Sequence, residues 1–155
     1  MDHSQKLDHK AALKQYAQDQ ITRRIDTARQ SAEQAQHAAN QEEKSSAGDK
    51  YETGRAMGHL QQEMHARQLA EHTRELATLH QVKVDTLCTT PTAGAYIQCP
   101  GLGIFIAAGL GKQQFNGKTI LFLSPAAPLA KILHDKKIGD QFSFNGRNLS
   151  IEDIF

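Results

Sequence analysis

Two patterns of hydrophobic and polar positions divide the chain. Between residues 7 and 39, small and apolar side chains recur every three or four positions among Gln, Lys, Arg and Asp. They are Ala17, Ile21, Ile25, Ala28, Ala32, Ala35 and Ala39. This spacing predicts a long helix with a heptad-like seam. Because alanine allows close helix approach, we expect a slim helix pair at its distal end.

A second helical run follows Gly48. Its predicted apolar stripe begins at Met57, Leu60 and Met64 and continues, after a phase offset, at Leu69, Thr73, Leu76 and His80. Two long helices joined by a short polar segment predict an antiparallel hairpin over residues 1–83. The histidines of this run form no HExxH motif or Cys/His cluster, so we interpret them as polar residues of a solvated face. They are His59, His65, His72 and His80.

Beyond residue 90 the pattern changes to short apolar or alternating runs between turn signals. These runs predict strands at 93–99, 102–107, 119–123, 140–144 and 147–151, with a short helix at 126–134. The dipeptides Asn116-Gly117 and Asn145-Gly146 predict two-residue hairpins. We therefore expect an α+β protein. Its hairpin would be followed, over residues 84–155, by a small antiparallel-sheet domain with one covering helix.

Composition narrows the function classes. The chain has 155 residues, with 18 basic against 17 acidic, which argues against a polybasic nucleic-acid binder and predicts no independent nucleic-acid binding. No run is long and apolar enough to span a bilayer, and the N-terminus lacks the apolar core of a signal peptide. Cys88 and Cys99 are compatible with packed thiols or with one disulfide, and a reducing cytoplasm is the simpler interpretation. We expect a cytoplasmic protein without a membrane partner.

The segment between the two helical runs carries the candidate chemistry. Residues 42–52 are rich in carboxylates, and Ser45–Gly48 is the expected turn. Asp49 and Glu52 are three residues apart, which places them on one face at the start of the second helix. Such a pair could hold Mg²⁺ weakly, with the remaining ligands supplied by water or a partner. The same spacing also fits a capping box, in which Asp49 caps the helix, and both interpretations stay open.

A second motif follows the strand that ends at Leu123. It comprises Ser124-Pro125, Pro128, Lys136-Lys137 and Gly139-Asp140. This pattern resembles the C-terminal signature of the bacterial Gre transcription elongation factors. The family also carries Gly-Asp-x-x-Glu at the tip of an N-terminal coiled-coil hairpin, as Gly48–Glu52 does here.

The resemblance implies a specific division of labour. An FKBP-like C-terminal domain would dock on RNA polymerase beside its secondary channel, with the signature residues serving structure or docking. The coiled coil would enter the channel. Asp49 and Glu52 would then help to hold a catalytic Mg²⁺ in the polymerase's active site, where they would stimulate cleavage of backtracked RNA in the elongation complex. The chain itself would be an accessory factor and not an enzyme.

Some positions depart from the Gre pattern. Thr53 stands where the family commonly has Asn, and His134-Asp135 replaces an apolar residue followed by Gly. Two alternatives therefore remain: a regulator that occupies the secondary channel without stimulating cleavage, and a coiled-coil adaptor unrelated to polymerase.

Overall fold

The computed structural model describes residues 1–45 and 49–155; its description does not extend to the side chains of residues 39, 42–45 and 49–55. Two long helices, α1 (His3–Ser45) and α2 (Asp49–Gln81), pack together and precede a mixed β-sheet region with a short helix. The predicted α+β class is confirmed. The chain forms two compact units, one made of residues 1–18 with 78–155 and the other of residues 19–77. The predicted boundary at residues 83 and 84 stays a prediction.

The unit of residues 19–77 is a pair of helical segments held by a narrow seam. The predicted stripe of α1 is buried here: Ile21 is fully covered, and Ile25, Ala28 and Ala35 are at most 9% exposed. Across the seam, Gln62 of α2 donates a hydrogen bond to Gln36 of α1. The residues of this stripe are small toward the far end of α1, so the two backbones can approach closely.

The other unit is built on seven strands. They are β1 (Tyr96–Cys99), β2 (Leu102–Ile106), β3 (Gly111–Phe115), β4 (Lys118–Leu123), β5 (Gln141–Phe144), β6 (Arg147–Ser150) and β7 (Asp153–Ile154). Five strands form one sheet in the order β3-β4-β2-β1-β7, and β5 pairs with β6 separately. The short helix α3 (Pro128–Leu133) lies between β4 and β5 in sequence.

The main sheet differs from the antiparallel sheet that the sequence predicts. Strands β2 and β4 are parallel, with Gly103 opposite Ile120 and Phe105 opposite Phe122. The unpredicted strand β3 explains this arrangement, because it pairs antiparallel with β4 on the outer side and reverses the chain before β4 returns beside β2. Four of the five residues of β3 are Gly, Lys or Gln, so they gave no apolar strand signal.

The sheet is covered on both faces. One face forms an apolar core with α3 and the β5–β6 hairpin, in which Ile97, Ile104, Leu133 and Ile151 are almost wholly buried. The opposite face carries aromatic rings that meet residues near the start of α1. They are Tyr96, Phe115, Phe122 and Phe155, which contact His9 or Tyr16. The first turns of α1 therefore belong to the core of this unit.

The predicted turns form as their sequences require. Asn116 and Asn145 have φ of 50°, and each is followed by a glycine with positive φ. Two successive positive φ angles define the type I′ turn that joins neighbouring strands. Pro128 lies in the first turn of α3, where its missing N–H costs no helical hydrogen bond. Among the described residues, no helix is long and apolar enough to cross a membrane.

Candidate functional site

The predicted Mg²⁺-binding pair lies at the start of α2. This helix begins at Asp49, and Glu52 follows three residues later in the same helix. Their side chains, and Gly48 before them, lie outside the described residues. The predicted metal role therefore stays a prediction. Elsewhere in the described part of the chain, no group of three or more His, Cys, Asp or Glu side chains is arranged to hold a metal ion.

The first half of the signature segment forms the turn into α3. The Ser124 Oγ accepts a hydrogen bond from the Ala126 N–H at 3.2 Å, and the Ser124 carbonyl accepts one from the Ala127 N–H at 3.0 Å. Pro125 lies within this turn and Pro128 directly follows it, and both are exposed. Ser124 thus ends strand β4 and shapes the loop, while the prolines present rigid apolar surface.

The second half of the signature closes the loop between α3 and β5. The Asp140 Oδ2 accepts a hydrogen bond from the Lys137 N–H at 2.8 Å, and the Asp140 N–H donates to the Lys137 carbonyl at 3.0 Å. Gly139 has φ of 93°, and its N–H donates to the Ile151 carbonyl. These bonds tie the loop to the β6 side of the core. They give Gly139 and Asp140 a structural role, whereas the Lys137 side chain remains exposed.

The surface around the signature is partly apolar. Ile132 on α3 is 54% exposed, and Ile138 in the following loop is 59% exposed. Lys131 and Lys137 are exposed beside them, and Lys136 is half-buried. A groove of about 200 Å³ also borders α3, with Pro125, Lys131 and His134 among its lining. The exposed isoleucines, lysines and prolines thus lie along one segment of the chain, from residue 125 to residue 138.

The apolar stripe predicted at the start of α2 is not in the hairpin seam. Met57, Leu60 and Met64 are 58%, 61% and 59% exposed. Gly58 is buried one residue after Met57, so the seam is displaced around the helix by about 100°. The sequence prediction had placed the seam at the largest apolar side chains of this stretch. Among residues 56–60 of α2, Gly58 is the buried one, and it has no side chain.

Two histidines continue this seam. The Nδ1 atoms of His65 and His72 are buried and accept no hydrogen bond from the described residues. The nearest partner of His72 is Glu75, whose Oε2 lies 3.8 Å from the ring nitrogen. Both histidines are half-buried, so the expectation of a solvated face holds for them only in part, whereas His59 and His80 are exposed. The seven-residue spacing of Gly58, His65 and His72 is the sequence signal that could have predicted this seam.

A buried lysine joins α1 to the segment after α2. Lys10 is fully buried, and its Nζ donates to the Thr86 carbonyl at 2.7 Å and lies 3.7 Å from the Cys88 Sγ. Burial is the main cause that lowers the pKa of Lys10, against the opposing influence of Cys88. Cys88 and Cys99 are both free thiols, so the disulfide alternative is wrong. Burial of Cys99 raises its pKa to about 11.

Comparison of the chain with protein-family models, with curated proteins and with solved structures gives no match. The likeness to Gre factors, including an FKBP-like globular domain, therefore depends on the sequence motifs and the order of elements described above.

Proposed function

We propose that this protein is a Gre-like transcription elongation factor that binds RNA polymerase at the secondary channel and stimulates cleavage of backtracked RNA. The observation that carries the proposal is the position of the Gly48–Glu52 motif. Its acidic pair opens α2, directly after the short connection from α1. The 33 residues of α2 span about 50 Å at 1.5 Å per residue, which would allow the hairpin to reach into a channel.

The proposed mechanism assigns no complete metal site to this chain. Asp49 and Glu52 would contribute carboxylate oxygens to a Mg²⁺ ion whose other ligands belong to polymerase and water. A hard cation prefers oxygen ligands and retains several waters, so two carboxylates are a sufficient contribution in such a shared site. The ion would activate water for attack on the RNA phosphodiester. The protein then acts in the cytoplasm as an accessory factor, and the nuclease activity is the polymerase's own.

The exposed surface around α3 is the proposed docking element. Ile132 and Ile138 supply apolar area, and Lys131 and Lys137 supply charge at its rim. Ser124 and Asp140 support this surface by fixing the loops on either side of α3. Docking would thus depend on the same signature segment that carries the resemblance.

A transcript-cleavage assay with purified cognate polymerase tests the proposal. Stalled, backtracked complexes should yield shortened RNA when the factor is added. Asp49→Asn should abolish most of this stimulation, because asparagine caps a helix about as well as aspartate but is a poorer Mg²⁺ ligand. Glu71→Gln removes one exposed carboxylate from the same helix away from its start, so it should leave both cleavage and melting temperature unchanged.

The outcomes separate the alternatives. Unchanged cleavage by Asp49→Asn would overturn the metal role. Polymerase binding without factor-dependent RNA shortening would identify a non-cleaving channel regulator, for which the departure at Thr53 is the motivating observation. Failure to bind polymerase at all would leave the coiled-coil adaptor, with Asp49 serving only as a helix cap.

A further inference from the structure

A cleft of about 280 Å³ lies between the main sheet and the β5–β6 hairpin, and none of its lining residues belongs to α3. Its lining includes the buried residues Leu102 and Leu149, the half-buried ring of Phe144, and the exposed cations Lys112 and Arg147. Strand register explains their proximity within the hairpin, because Phe144 pairs with Arg147 across the Asn145-Gly146 turn. The cleft therefore combines an apolar floor with positive charge.

Among the residues that the structure describes, the two cations of the cleft have no acidic partner. The Lys112 Nζ lies 5.6 Å from the centroid of the Phe144 ring, a cation–π distance. Within the described residues, neither Lys112 nor Arg147 has a carboxylate within ion-pair distance, and none of the described residues that line the cleft is acidic. Elsewhere on the same unit, by contrast, Lys6 pairs with Asp153 at 3.0 Å. The positive charge of these two side chains is therefore not neutralised by an ion pair with the described residues.

We propose that this cleft binds an acidic segment of a protein partner. A carboxylate of the segment would pair with Lys112 and Arg147, and an adjacent apolar side chain would cover Leu102, Leu149 and Phe144. The planar guanidinium of Arg147 suits a carboxylate, since it can donate two parallel hydrogen bonds. The volume is near the lower limit for ligand pockets, which fits one or two side chains of a peptide better than a larger ligand.

The cleft fits a peptide better than the other anionic ligands. A small inorganic anion would satisfy the cations but would leave the half-buried ring of Phe144 uncovered. A nucleic acid would need a free aromatic face for stacking, and the Phe144 ring instead packs on the core and carries the Lys112 ammonium. The near balance of 18 basic and 17 acidic residues also supplies no extended phosphate track.

Fluorescence anisotropy with the full-length protein tests the proposal. The probe is a labelled hexapeptide of alternating glutamate and leucine, and its matched control has glutamine in place of glutamate. The glutamate peptide should bind more tightly than the control and weaken as salt rises. Lys112→Gln and Arg147→Gln should each weaken binding by about fivefold, the upper range for an exposed ion pair. Lys83→Gln changes an exposed lysine outside the cleft and should have no effect.

Each contrary result overturns the proposal. Equal binding of the two peptides would show that the cleft does not select carboxylates, and absence of binding would show that it is only a solvated surface. A uridine hexanucleotide that binds more tightly, with the same dependence on Lys112 and Arg147, would assign the cleft to nucleic acid. Because all three substituted residues are exposed, melting temperatures should match that of the wild type, and the result does not depend on the function of Asp49 and Glu52.

Discussion

The ring of Tyr96 in strand β1 covers the backbone of Gly103 in strand β2. A Cβ atom at position 103 would overlap the Tyr96 hydroxyl and ring. The ring is 2% exposed, its hydroxyl donates to Gln98 at 2.8 Å, and it meets His9 edge-on at 4.7 Å. Glycine at position 103 thus provides the space for an aromatic side chain that links the sheet to α1.

Substitution of Gly103 should destabilise the protein through this contact. We expect Gly103→Ala to lower the free energy of unfolding by about 1–3 kcal/mol, the usual cost of overpacking, as measured by urea denaturation. Gly109→Ala is the matched control, because its Cβ would meet only Ser124 atoms at 3.6 Å or more. In a Tyr96→Phe background the cost at position 103 should fall, since the overlapping hydroxyl is gone. Equal losses at positions 103 and 109 would contradict this explanation.

The sequence pattern predicted most elements of the globular unit because each has a local signal. Apolar runs marked the buried strands, and Asn116-Gly117 and Asn145-Gly146 marked the turns. Strand β3 was missed because its pairing with β4 depends on backbone hydrogen bonds and not on apolar residues. The parallel pairing of β2 with β4 was therefore not predicted either, since the topology depends on every strand being counted.

The hairpin shows a different limit of sequence interpretation. The stripe of α1 is buried at Ala17, Ile21, Ile25, Ala28 and Ala35, as its single consistent period predicts, whereas Ala32 is half-buried and the Ala39 side chain lies outside the described residues. Helix α2 carries two competing stripes, and the larger side chains of Met57, Leu60 and Met64 belong to the exposed one. The proposed site depends on a motif at the Gly48–Glu52 connection, where periodicity carries no information about metal binding. Its function was therefore predicted only by resemblance.

Replacement of His65 should test the seam directly. Its buried Nδ1 has no hydrogen-bond partner among the described residues, and an unsatisfied buried polar atom is costly. We expect His65→Leu to raise the free energy of unfolding by about 1 kcal/mol, as measured by chemical denaturation. His59→Leu on the exposed side of the same helix should change it by less than about 0.5 kcal/mol. A destabilised His65→Leu variant would show that the imidazole has a stabilising role there.

The buried Cys99 thiol predicts a loss of stability in alkali. Burial, followed by the charge of Glu152, raises its pKa from 9.0 to about 11 in the folded state. Because the folded pKa exceeds the unfolded value, the stabilisation is present below about pH 9 and is lost as pH rises through about 11. Between about pH 8 and pH 10, the wild type should lose about 1.4 kcal/mol relative to Cys99→Ala. Parallel stability curves for the two proteins would exclude this titration.

Asp140 should support docking through the loop that it closes. Loss of its bond with the Lys137 N–H in Asp140→Ala should cost about 1 kcal/mol of stability, measured by urea denaturation. Asp135→Ala removes another exposed carboxylate from the same loop and should be nearly neutral. Under the proposed function, Asp140→Ala should weaken polymerase binding at a temperature where the protein remains folded, because the neighbouring Ile138 and Lys137 lose their fixed position. Equal polymerase binding by the two variants would show that this loop supports the fold without contributing to docking.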